Sequence, residues 1–122
     1  MGRVSGGEVV SRFDRRRLLA KAEALGAVPG PDGKHYRELF RHGSLQVEIY
    51  RPVGSDPQSP HARDEGYVVI QGTGTFVIEG QRLPFGPGDF LFAPARVAHR
   101  FEDFSDDFAV WVLFYGPEGG EK

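Results

Sequence analysis

The segment Pro60-His61-Ala62-Arg63-Asp64-Glu65-Gly66-Tyr67-Val68-Val69-Ile70-Gln71-Gly72-Thr73-Gly74 decides the fold. Its middle, Tyr67 to Ile70, is a continuous apolar run, the pattern of a strand covered on both faces. Gly72-Thr73-Gly74 then turns the chain. Two side chains with chemical potential, His61 and Glu65, stand just ahead of the run. Because strand side chains alternate, Glu65, Tyr67 and Val69 share one face.

The same grammar continues on both sides. Downstream, Thr75 to Ile78 reads as a strand, Glu79-Gly80-Gln81 as a turn, and Pro84-Phe85-Gly86-Pro87-Gly88 as the approach to a strand over Asp89 to Ala93. Pro94-Ala95 separates it from His99 to Phe104. Ser105-Asp106-Asp107 reads as a hairpin loop, and Phe108 to Tyr115 as a last strand, apolar on both parities. Upstream, from Tyr36, the period is two: Leu45, Val47 and Ile49 alternate with Gln46, Glu48 and Tyr50, until Pro52-Val53-Gly54-Ser55-Asp56-Pro57 breaks the strand. Short strands at this spacing predict a small antiparallel all-β sandwich or barrel. Ahead of them, Asp14 has the form of an N-cap, and Leu18, Leu19, Ala22 and Leu25 recur at helical spacing before Gly26 and Pro29. This predicts one helix over Arg15 to Leu25. The expected organisation is an N-terminal arm, helix and linker over 1–33, a β-barrel over 34–116 and a frayed tail over 117–122.

Composition agrees and excludes other classes. A chain of 122 residues is one domain by length. Its 17 Gly and 9 Pro are too many for a helix bundle, and its 12% aromatic content, with 10 Phe, is too rich for a disordered chain. There is no Cys, so a thiol nucleophile, a disulfide and a Cys-held metal are out, and any metal must be held by His, carboxylate or amide groups. A net charge of -2 and a pI near 6.1 do not suit a phosphate backbone, so no nucleic-acid partner is expected; Arg15-Arg16-Arg17 reads as a solvated first turn. No apolar run reaches membrane-span length, and Lys21 and Glu23 interrupt the short run after the Arg triplet, so no membrane partner and a cytoplasmic location are expected. The last strand's second apolar face needs a cover, from the N-terminal helix, a second sheet or another subunit; a homodimer is the expectation.

His61, Glu65 and His99 could converge if their strand faces both point inward. Two imidazoles and one carboxylate suit Fe(II), Mn, Ni or Zn and leave positions open for water or substrate. Taken singly, each His reads as a surface or hydrogen-bonded residue. His35 and His42, before the first motif, read as structural or exposed.

The segment from Pro60 to Gly74 resembles the first motif of the cupin superfamily, in which Gly, five residues, His-x-His, three or four residues, Glu, six residues and Gly follow in order. Here three residues separate His61 from Glu65, and six separate Glu65 from Gly72. Gly86-Pro87-Gly88-Asp89-Phe90-Leu91-Phe92-Ala93-Pro94-Ala95-Arg96-Val97-Ala98-His99 resembles the second motif, where Gly-Asp opens a strand, Pro ends it and a His follows. The resemblance spans about Leu45 to Tyr115 and implies a small, single-domain (type-2) cupin: a double-stranded β-helix, or jelly roll.

It also implies one divalent metal ion held by His61, Glu65 and His99 beside a pocket for a small organic ligand. The chain departs from the pattern twice. Ser59 stands at the position of the first His, and Arg96 where a turn Gly is common. Gln58, next to Ser59, carries an amide oxygen. Tyr67, two residues along from Glu65, could hydrogen-bond a substrate and is the candidate catalytic residue. Tyr50, Phe76, Phe92, Phe101 and Trp111 would line or pack the barrel. The activity implied is that of a metal-dependent oxygenase or isomerase; the alternative is a non-catalytic binding or sensing cupin, with or without metal.

Overall fold

The computed structural model describes residues 17–122. Its order is one helix, α1 (Lys21–Gly26), followed by β1 (Tyr36–His42), β2 (Leu45–Tyr50), β3 (Asp64–Gln71), β4 (Gly74–Ile78), β5 (Gln81–Phe85), β6 (Phe90–Ala93), β7 (His99–Glu102) and β8 (Ala109–Tyr115). Two antiparallel sheets face one another. The larger runs β1-β2-β8-β3-β6 and the smaller β5-β4-β7. Among the described residues this is a jelly-roll arrangement, all-β apart from one short helix.

Three turns depart from the sequence reading. Gly72-Thr73-Gly74 and Ser105-Asp106-Asp107 do not close hairpins: each carries the chain from one sheet to the other, since β3 and β8 lie in the larger sheet and β4 and β7 in the smaller. The two crossings are stitched together, with Ser105 N–H donating to Thr73 O (2.9 Å) and Thr73 N–H to Ser105 Oγ (3.0 Å). Gly72 has φ +86°, and a Cβ there would lie 2.5 Å from Phe108 Cα, so the close passage needs a residue without a side chain. Gln81, read as turn, and Pro84-Phe85, read as the approach to the next strand, belong instead to β5 together with Arg82 and Leu83. Its Pro84 is tolerated because β5 is an edge strand, where no ladder donor is missed.

The expected helix over Arg15 to Leu25 is shorter. Ala20 is extended (φ -73°, ψ 142°), so α1 starts only at Lys21. The candidate cap Asp14, and Arg15 and Arg16, lie outside the described residues. The residues expected to fray are hydrogen-bonded instead: Gly119 N–H donates to Ala62 O (2.7 Å) and Glu121 N–H to Asp64 Oδ2 (2.7 Å).

Cross-strand register sorts the larger sheet into two faces. Gln46 pairs with Phe114 and Phe114 with Glu65; Glu48 pairs with Val112 and Val112 with Tyr67. These rows point between the sheets. The other face carries Ile49, Trp111 and Val68 in one row and Val47, Leu113 and Gly66 in the next. Thus β2 turns its polar residues inward, and its apolar residues serve the outside, where Ile49 packs with Ala24, Val28 and Ala109 under α1.

Trp111 packs the barrel from that outer cluster, and Phe92 is 40% exposed on edge strand β6, so neither lines the interior. Between the sheets, one end is filled by Tyr67, Phe76, Phe85, Phe101 and Phe108. Their rings meet edge-on or tilted, with Tyr67–Phe101 centroids at 5.0 Å and Phe101–Phe108 at 4.9 Å. The opposite end stays open as a cavity. No helix among the described residues is long and apolar enough to cross a membrane.

Candidate metal centre

Glu65 is the second residue of β3 in the larger sheet, and His99 the first of β7 in the smaller. Both point into the space between, and both are buried, at 2% and 6% exposure. His61 lies on the irregular segment that feeds β3 and reaches the same place from the rim, its ring edge-on to Phe114 at 4.9 Å. His99 Nε2 is 3.0 Å and His61 Nε2 3.8 Å from Glu65 Oε1, and one ligand atom from each of the three lies within 4.8 Å of the others. The convergence expected from sequence is present.

The hydrogen bonds specify what the cluster lacks. His99 Nδ1 is 2.8 Å from the carbonyl oxygen of Val97, which can only accept, so Nδ1 carries the proton. In the neutral ring Nε2 then presents a lone pair. Tyr67 Oη, 3.0 Å away, donates to it. Glu65 Oε1 faces the same lone pair and has no hydrogen-bond partner of its own. A buried, unpaired carboxylate oxygen opposite a ring nitrogen is costly unless a proton or a cation sits between them. Burial pushes the His99 ring toward neutrality, but Glu65, the Val97 carbonyl and the charge of Asp56 outweigh it and leave its pKa raised. Two imidazole nitrogens and a carboxylate oxygen, with one ring oriented by a backbone carbonyl, are the donor set of a divalent transition ion or zinc. The residues fit such an ion.

Tyr67 is fully buried, and burial, followed by the charge of Glu65, raises its pKa well above the ordinary phenol range. It therefore acts as a hydrogen-bond donor. Gln58 Oε1, 3.3 Å away, is the alternative acceptor for the same single proton. Gln58 in turn donates through Nε2 to Asp56 Oδ2 (2.6 Å), which also takes the N–H of Phe101 (2.8 Å), while Asp56 Oδ1 accepts from Tyr50 Oη. Asp56 thus fixes the loop after β2 to both sheets and holds Gln58 against Tyr67. Sequence reasoning noted Gln58 and missed Asp56, which looks like any acidic turn residue between Ser55 and Pro57. Ser59 is exposed at the cavity rim.

The cavity beside the cluster has a volume of about 700 Å³. Its walls include His61, Glu65, Phe114, Gln46, Glu48 and Tyr50. Glu48, which sequence reasoning also missed, has a raised pKa. Burial is the main cause, opposed by a hydrogen bond from Gln46 Nε2 (2.8 Å) and reinforced by the charges of Glu38 and Glu65. His35 lies on the cavity wall, and His42 ends β1 exposed. Arg63 is spent on the carbonyls of Gly116 and Ser44, and Arg100 pairs with Glu102 outside.

The sequence profile of the cupin domain family matches residues 46–115. The chain belongs to the cupin family. An uncharacterized protein of Streptomyces coelicolor is 34% identical to this cupin over 85 residues, 68% of this chain and 81% of that one. Among solved structures, KdgF from Halomonas sp. superposes with a TM-score of 0.59 at 22% identity, over 68% of this chain and 78% of that one. A Cupin 2 conserved barrel domain protein from Salinispora arenicola gives 0.59 at 19% identity, over 84% and 88%. At these identities the structural likeness concerns the fold alone, and function has to be argued from the site.

Proposed function

We propose that this cupin binds one divalent metal ion, Fe, Mn, Ni or Zn, through His61, Glu65 and His99, and takes a small organic molecule into the adjoining cavity as a metal-dependent oxygenase or isomerase. The observation that carries the reading is the unpartnered Glu65 Oε1 opposed to the Nε2 lone pair of His99. A bound ion would act as a Lewis acid, with positions left for substrate oxygens because His61, Glu65 and His99 are the three histidine and carboxylate groups that converge among the described residues.

The chain's own residues have separate tasks. Val97 holds the proton on His99 Nδ1 so that Nε2 is free to bind. With Nε2 engaged, the Tyr67 proton has Gln58 Oε1 as its remaining acceptor, or a substrate oxygen placed beside it. Glu48 and Gln46 offer polar groups further along the wall and favour a ligand that carries hydroxyl or amino donors. The aromatic plug closes the far end, so ligand enters past His61 and the 52–60 loop.

Elemental analysis tests this directly. About one equivalent of metal per chain is expected, and none in the His61→Ala/His99→Ala double variant. Metal content untouched by that substitution overturns the assignment. The alternative, a metal-free binding or sensing cupin, is favoured by the 37% exposure of the His61 side chain and its 3.8 Å separation from Glu65. It predicts no stoichiometric metal in the unaltered chain.

A further inference from the structure

The two ligands His61 and Glu65 are joined by a segment that is not regular strand until Asp64, yet each residue of it before Glu65 is tied down from outside. His61 O accepts from Arg96 N–H (2.6 Å). Ala62 O accepts from Gly119 N–H (2.7 Å). Arg63 Nε donates to Gly116 O (3.0 Å). Asp64, 6% exposed, uses both carboxylate oxygens: Oδ1 accepts from Ala95 N–H (2.9 Å) and Oδ2 from Glu121 N–H (2.7 Å). Apart from Ser44 in the β1–β2 turn, whose carbonyl also takes Arg63, the partners come from the Pro94–Val97 turn that leads to His99 and from the chain after β8.

Asp64 points away from the cavity, because its neighbour Glu65 points in. It therefore contacts no ligand of the site and works from behind. The fit around it is close. Gly120 is buried with φ +94°, and a Cβ there would lie 2.9 Å from Asp64 Oδ1. The same tail lies under Arg96, whose Nη1 would be 3.1 Å from a Cβ at Gly119. Arg96 keeps the positive φ (+65°) of a turn Gly while its N–H holds His61 and its guanidinium covers the tail.

We propose that residues 116–121 form a strap which, through Asp64 and Ala62, sets the position of His61 relative to Glu65 and His99. Asp64 is a positioning residue in this arrangement. It joins the ligand-bearing segment, the turn before the third ligand and the C-terminal chain in one hydrogen-bonded knot. The strap's effect on metal rests on the metal reading above; its effect on the segment does not.

The experiment is Zn²⁺ titration against a chromophoric chelator, together with amide hydrogen exchange. It uses the full chain, a chain lacking Gly119–Lys122, and Asp64→Asn, which turns an amide donor toward one of the two N–H groups. Each is made with His61 present and with His61→Ala. Loss of outer partners of metal ligands typically weakens binding about 10–100-fold, and a loss of at least about tenfold is expected in both strap variants. In the His61→Ala background neither change should weaken Zn²⁺ further, because the strap acts through that residue.

Exchange at Ala62 to Asp64 should quicken in the truncated chain while the amides of β4 and β7 stay protected. Unchanged exchange at these residues overturns the strap with or without metal. Retained Zn²⁺ affinity, or an equal loss in both backgrounds, overturns its role in positioning His61. If the unaltered chain takes up no Zn²⁺, the metal reading and the positioning role fall together, and the exchange data still decide whether the strap orders the segment. If Asp64→Asn does not fold, the truncation carries the test alone.

Discussion

Glu65 Oε1 lies 3.0 Å from His99 Nε2, and because Nδ1 keeps its proton on Val97, only a second ring proton or a cation can join the two. The two groups come from different sheets, so without that second proton or a cation the sheets meet through an unfavourable contact. Glu65→Gln places an amide donor where the orphan acceptor was. Relief of an unmet buried acceptor is worth about 1–3 kcal/mol. The variant is expected to melt higher than the unaltered protein when both are stripped with chelator at alkaline pH, where the His99 ring is neutral, and to bind metal at least tenfold more weakly. A chelator-treated thermal melt and a metal titration check the two halves.

Tyr67→Phe removes the hydroxyl that bridges His99 and Gln58 and keeps the ring in its aromatic packing. A stability loss of about 1 kcal/mol is expected from the missing hydrogen bond, with metal content unchanged. Once a substrate is found, turnover by this variant at the normal rate would take the hydroxyl out of the chemistry.

Glu48 supplies a pH signature. Its folded-state pKa is raised, chiefly by burial, so above the ordinary carboxylate range the folded protein holds a proton that the unfolded chain releases. Stability then declines as pH rises from about 4.5 through the folded-state pKa, by linkage. Urea unfolding across pH 4.5–7.5 should show this decline, flattened in Glu48→Gln, and the variant should be the more stable protein at the upper end. A parallel decline in both proteins would assign the effect to other groups.

Much of this was readable in the residues. The apolar run of Tyr67 to Ile70, the Gly and Pro punctuation and the spacing of His61, Glu65 and His99 led to the correct architecture and to a cluster that does converge. What was not readable has a common cause. Alternation in β2 separates its two faces but does not say which faces inward, and the apolar side of Val47 and Ile49 was satisfied by α1 and the outer sheet surface, leaving Gln46 and Glu48 for the cavity. Asp56 and Asp64 are short acidic side chains in or beside loops, and their most distant hydrogen-bond partners lie 45 and 57 residues away at Phe101 and Glu121. Local pattern carries no trace of contacts at that separation.

The outer face provides another test. Phe90 and Phe92 are 64% and 40% exposed on β6, on the side of the sheet that also carries Val68 and Trp111. The chain is expected to pair with a second copy over this surface, since a stable interface needs about 800 Å² per partner and contiguous apolar area is what distinguishes its centre. Sedimentation should give a dimer, shifted to monomer in Phe90→Asp. A monomeric unaltered chain would remove the proposal.

Gly72→Ala tests the stitched crossings. With φ +86° and a Cβ 2.5 Å from Phe108 Cα, the methyl group must displace backbone. A loss of about 3 kcal/mol or more is expected, read as a lowered urea midpoint with an unchanged slope. A loss below about 1 kcal/mol would mean that the crossing yields more easily than its contacts imply.

The inside-out pleat of β2 has a consequence for how such a protein changes over generations. Its odd-numbered Ile49 packs into the outer core and Val47 lines a groove on the same face with Phe40 and Trp111, while its even-numbered residues Gln46, Glu48 and Tyr50 present themselves to the cavity. Two jobs that usually compete for the same side chains are here divided between alternate positions. Drift at 46 and 48 can retune what the cavity accepts without loosening the scaffold, and a library confined to those two codons is the shortest route to a cupin with a new preference.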